Sequence, residues 1–197
     1  MRFPWVTAGL VAACATASSF PAGGDLLQYD RARVAGGEVW RLLTGQMVHW
    51  TARMAVADLA VLLALGLWLE TGGRRRAFLL ALILGAVWVA LGVQLLPPHL
   101  TLYRGSSGLA SALFVLTALE AARPPARPSA RILATCALLL FAAKIVWETA
   151  GGHPLFAGTL PSGVQVTPMV HLLGGLAGAA AFVLNRKLSS LPRPRPI

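Results

Sequence analysis

The sequence predicts an all-α membrane protein, a bundle of six transmembrane helices with both termini in the cytoplasm. Three observations carry that reading. The 197 residues are 56% hydrophobic and only 12% charged, with a mean hydropathy of +0.68, too apolar for a soluble domain of this size. Several windows reach the roughly 20 mostly apolar residues that a span needs. The basic residues fall in short clusters between the apolar runs, as membrane topology arranges them.

The net charge of +10 raises nucleic-acid binding as an alternative. The arginines form no single face, however, and the connecting loops are too short to hold a binding module. Cys14 and Cys136 both lie within apolar runs and offer neither a disulfide framework nor metal-ligand spacing. No cofactor or metal is expected.

The first apolar run covers residues 4–20. Within it "VAAC" (11–14) resembles a lipoprotein cleavage box, and the competing reading is a first transmembrane helix that stays. Residues 21–50 form a longer loop. The second span, 52–70, ends at "ETGGRRR" (70–76), the third, 77–96, at "PPH" (97–99), and the fourth, 107–122, at "ARPPARP" (122–128). A fifth span covers 131–149, and Pro168 can open the sixth, 168–185, at its first turn. Residues 1–190 then form one transmembrane domain, and the basic, proline-rich tail 191–197 is extended and disordered. Eleven Lys and Arg residues fall on the side of the termini and five on the other, with Lys144 inside a span. The positive-inside rule therefore turns the 21–50 loop, the loop before Ser107 and the loop before His171 outward.

Ionisable groups inside spans are costly and mark function by default. Asp58 sits in the second span, roughly 10 Å below its outer end. Lys144 and Glu148 lie one turn apart on one face of the fifth span, which suits a structural ion pair.

Ser107 and His171 form the more informative combination. Each lies near the outer end of its span, although 64 residues separate them. A serine hydroxyl is a poor nucleophile until a base takes its proton, and imidazole is the usual base. The fourth span is short: its 16 residues give about 24 Å against a hydrocarbon core near 30 Å. Ser107 would then be recessed at a helix start, where free N–H groups and the dipole suit an oxyanion. Gly105 and Gly108 flank "SS" (106–107), and "HLLGGLAG" (171–178) carries Gly174, Gly175 and Gly178 at spacings that let helices approach closely. Taken alone, "GSSG" is explained by packing and a lone histidine by the interface; together, at one depth on one side, they point to catalysis.

These residues resemble the motifs of the rhomboid intramembrane serine proteases, and among them the rhombosortase branch, over roughly residues 36–185. "GEVWRLLTGQMVH" (37–49), with Trp40 and Arg41, looks like the family's first outward loop. "RGSSG" supplies the G-x-S-G motif, which implies Ser107 rather than Ser106 as nucleophile, and "HLLGGLAG" implies His171 as base. "AKIVWETAGG" (143–152) is rhombosortase-like, as is Asp58 where general rhomboids carry an oxyanion-hole asparagine. The resemblance implies a rhomboid-like six-helix bundle in the bacterial inner membrane, opening to the periplasm. Its partners would be membrane lipid and the C-terminal anchors of exported proteins, built as Gly-Gly, a transmembrane helix and a basic tail. One departure is Met54, where general rhomboids place a histidine. An ionised Asp58 would repel an oxyanion, so it could help only as the neutral acid or by orienting another donor. The oxyanion would rest mainly on backbone N–H groups around Gly105, Ser106 and Gly108, above all that of Ser107. Two other classes compete: a catalytically inactive rhomboid-like binder of client helices, and a small transporter with Asp58, Lys144, Glu148 and His171 along a polar path.

Overall fold

The computed structural model describes residues 3–20, 22–96, 99–151, 155, 164 and 167–190. The tail expected to be disordered, and most of the segment before the last helix, lie outside them. Six apolar helices form the body: α1 (Trp5–Ser19), α5 (Ala52–Thr71), α6 (Arg75–Leu95), α7 (Ser107–Ala122), α8 (Pro128–Gly151) and α9 (Pro168–Ser190). Of these, α5, α6, α8 and α9 are long and apolar enough to cross a membrane, whereas α1 and α7 are shorter.

Local chemistry sets their ends. The Thr51 side chain caps α5 by accepting from the Met54 N–H at 3.2 Å. Pro128 and Pro168 stand at the first helical positions of α8 and α9, where a missing N–H costs nothing. Both helices run past their apolar stretches, α8 starting three residues before 131 and α9 ending five after 185. Hydropathy marks where apolar surroundings stop; the hydrogen-bond ladder continues into polar residues.

The 21–50 segment is folded rather than a plain loop. It holds the short helices α2 (Gly23–Leu27), α3 (Arg31–Ala35) and α4 (Arg41–Thr44), and a strand β1 (Tyr29–Asp30). This strand pairs antiparallel with β2 (Leu102–Tyr103), Tyr29 opposite Tyr103. Arg41 is 1% exposed and ties the segment together. Its Nη1 donates to the Asp25 and Gln28 carbonyls at 2.9 and 3.0 Å, and its Nε to Glu38 at 2.6 Å. Trp40, its neighbour, is exposed. Arg31 donates to the carbonyls of Val93, Gln94 and Leu100, which places a cation at the carbonyl end of α6, where the dipole favours it.

At the opposite end, Glu70 of α5 is buried and caps the start of α1. Its carboxylate accepts from the Val6 and Thr7 N–H groups at 3.2 and 2.9 Å and from the Thr7 hydroxyl at 2.8 Å. Glu120 of α7 lies at that end too, 3.5 Å from Arg74 and 4.0 Å from Arg123. Cys14 is buried within α1.

α7 is the central helix, packed against α9, α6, α8 and α5, and ten of its 16 residues are buried. Its tightest seam is with α9. A Cβ on Gly174 would overlap the Gly108 carbonyl, and one on Gly178 the Ala112 carbonyl, so the two backbones touch where only glycine fits. Gly175 instead faces Phe141 and Val115.

Gly174→Ala or Gly178→Ala must force the helices apart and should destabilise the fold by about 1–3 kcal/mol. Gly9→Ala, where an added Cβ meets nothing within 4 Å, should be near neutral. Thermal unfolding in detergent reads both, and equal midpoints would refute the seam.

Candidate active site

The α7–α9 seam brings Ser107 and His171 together. Ser107 is the first residue of α7, and His171 lies one turn into α9. The His171 Nε2 is 3.1 Å from the Ser107 Oγ, within the reach general-base chemistry needs. Both residues are partly exposed, whereas the neighbouring Ser106 is fully buried. A reactant can reach one serine and not the other.

The other face of His171 meets α8. Its Nδ1 lies 3.2 Å from the Glu148 Oε2 and 2.6 Å from the Lys144 Nζ. The expected Lys144–Glu148 pair is present at 2.7 Å, but it is not an isolated structural pair. The i, i+4 spacing aims both side chains off one face of α8, and α9 packs His171 against that face.

Ser106 anchors a second network. Its Oγ is 3.1 Å from the His49 Nε2 and donates to the Asp58 Oδ2 at 3.5 Å. The same His49 nitrogen lies 3.3 Å from the Asp58 Oδ2, and its Nδ1 lies 2.9 Å from the Ser18 Oγ of α1. Asp58 is thus engaged with His49 and Ser106, not directed alone at Ser107. A histidine does reach Asp58, but from the segment before α5 and not from position 54. In the sequence, His49 is marked only by its place in "HWT", directly before the start of the span that carries Asp58.

The turn before α7 is held firmly. Gly105 has φ of +145°, a region L side chains avoid. The buried Tyr103 hydroxyl donates to the Gly105 carbonyl at 2.7 Å. Burial, and secondarily the Asp58 charge, push the Tyr103 pKa well above that of an ordinary phenol, so it stays a neutral donor. The Gly105 N–H donates to the Gly45 carbonyl at 3.1 Å, and the Ser106 N–H points at the His49 Nε2 at 3.4 Å. The amides expected to face an oxyanion are therefore fewer than "GSSG" suggested. Those of Ser107 and Gly108 open α7, where no carbonyl one turn back can receive them. Among the described residues, no three His, Cys, Asp or Glu side chains converge as a metal site would need.

Six apolar helices, four of them sized for a bilayer, with a serine and a histidine in contact at the heads of α7 and α9, define a membrane-embedded helical protein with a polar site inside its bundle. The chain belongs to the rhomboid family: the Rhomboid domain matches residues 36–187. Members of that family are typically intramembrane serine proteases. No curated protein matches the chain significantly.

His49→Ala should strand the polar groups of Ser18, Asp58 and Ser106 and lower stability by about 1–3 kcal/mol. A loss under about 0.5 kcal/mol in chemical or thermal unfolding would mean that the network contributes nothing.

Proposed function

We propose that this chain is a rhomboid-type serine endopeptidase of the rhombosortase kind. It cuts the C-terminal Gly-Gly, transmembrane-helix and basic-tail signal of exported proteins near the outer face of the bacterial inner membrane. The observation that carries this reading is the 3.1 Å approach of Ser107 Oγ to His171 Nε2. The rhombosortase-like "AKIVWETAGG" and the presence of Asp58 support the branch.

In this mechanism His171 Nε2 removes the Ser107 proton as Oγ attacks the scissile carbonyl carbon. The tetrahedral oxygen meets the Ser107 and Gly108 amides at the positive end of α7. Collapse breaks the C–N bond, His171 passes its proton to the leaving amine, and water or another amine resolves the acyl-enzyme. Glycine is a poor helix former, so a substrate helix unwinds easily at Gly-Gly and can offer its backbone to a recessed serine. Asp58 has a structural part in this reading, holding His49 beside the Ser106 hydroxyl and away from Ser107.

All six apolar helices span in this reading, with both termini in the cytoplasm. Arg74, Arg123 and Glu120 share one end, as that topology requires. Reporter fusions should place residues 21–50 in the periplasm and 73–76 in the cytoplasm; Arg74–Arg76 found outside would overturn the topology.

Ser107→Ala and His171→Ala should each abolish cleavage of a reporter ending in Gly-Gly, an apolar helix and a basic tail. The double variant should be little worse, because nucleophile and base act as a unit. Ser106→Ala should keep most activity, since its buried hydroxyl serves the His49 network. Cleavage surviving in a well-folded Ser107→Ala would refute the assignment.

A further inference from the structure

Glu148 is out of keeping with its helix. Of the 24 residues of α8, only Ala134 and Glu148 are buried, and the Glu148 side chain is 2% exposed. A carboxylate withdrawn from water in this way needs a full set of donors. It has them: the Leu155 N–H donates to Oε1 at 2.9 Å, and Lys144 Nζ and His171 Nδ1 converge on Oε2 at 2.7 and 3.2 Å.

A neutral imidazole carries one proton on two nitrogens. His171 can take the Ser107 proton only if Nε2 is bare, which puts the ring proton on Nδ1. That N–H needs an acceptor. The Lys144 ammonium, 2.6 Å away, has no lone pair to offer, and Glu148 Oε2 does. If Lys144 donates to Nδ1 instead, the ring proton sits on Nε2 and the base is disabled.

We propose that Glu148 is a positioning residue, the acid of a Ser107–His171–Glu148 triad that holds His171 in the base-competent tautomer and draws the competing Lys144 donor onto itself. The inference rests on the reading of Ser107 and His171 as nucleophile and base. The Ser107 proton moves to Nε2, the imidazolium then carries both ring protons, and Glu148 stays ionised opposite Nδ1. Nε2 later gives its proton to the leaving group.

The test uses the full-length protein in detergent and a fluorophosphonate probe, which reports serine activation without a peptide substrate. Ser107 attacks phosphorus and fluoride leaves. Glu148→Gln should lower the maximal labelling rate about 100-fold or more, with the half-saturating probe concentration within about threefold. Lys144→Met/Glu148→Leu removes both charges and should unfold no earlier than either single change, yet label as slowly as Glu148→Gln. Wild-type labelling rates in Glu148→Gln, or recovery of the rate in the double variant, would overturn the triad and leave Glu148 as a partner for Lys144. A wild-type chain that does not label, or a Ser107→Ala chain that labels equally, would instead remove the Ser107 reading on which the triad depends.

Discussion

Everything at the site depends on how closely two backbones can run. The Ser107–His171 contact spans two helices, and its length is set by the seam where Gly174 and Gly178 lie on the carbonyls of Gly108 and Ala112. In hydrocarbon, helices gain little from burying apolar surface against one another, so close van der Waals contact between small residues carries the association. The same contact fixes the depth of both side chains.

Around that seam the polar groups are placed by exclusion from lipid. Glu70 caps α1, Glu120 sits among arginines, Glu148 collects three donors and Asp58 meets His49. Glu70, Glu120 and Glu148 are buried and Asp58 half-buried, and each has partners from outside its own helix, which is how ionisable groups are tolerated in an apolar bundle. The consequence is a site with two polar sides. One runs through His171 to α8, and the other through Ser106 and His49 to α1.

The helices were legible because hydropathy and punctuation are local: "ETGGRRR" and "ARPPARP" stop the apolar runs close to where α5 and α7 end. Ser107 and His171 were legible as motifs, and Lys144 and Glu148 as an i, i+4 pair. Spacing along α8, however, could not tell that a third partner would arrive from α9. His49 was missed for the same reason. It precedes its helix, carries no periodic signal, and acquires meaning only when the turn at Gly105 folds Ser106 back onto it. The fold of residues 21–50 was hidden too, since it rests on Arg31 and Arg41 reaching backbone carbonyls far along the chain.

The last long helix carries His171, and this has a consequence for biosynthesis. The serine enters the membrane 64 residues before the histidine, an interval of about 3–13 s at ordinary translation rates. Throughout that interval the nascent chain has a hydroxyl with no base beside it and an open groove between α6 and α7. In the proposed mechanism, chemical competence therefore arrives in a single event, when α9 docks. On that mechanism a product that stalls before residue 168 would be inert in the bilayer, and the order of the helices along the polypeptide would serve the purpose that a removable propeptide serves in secreted hydrolases.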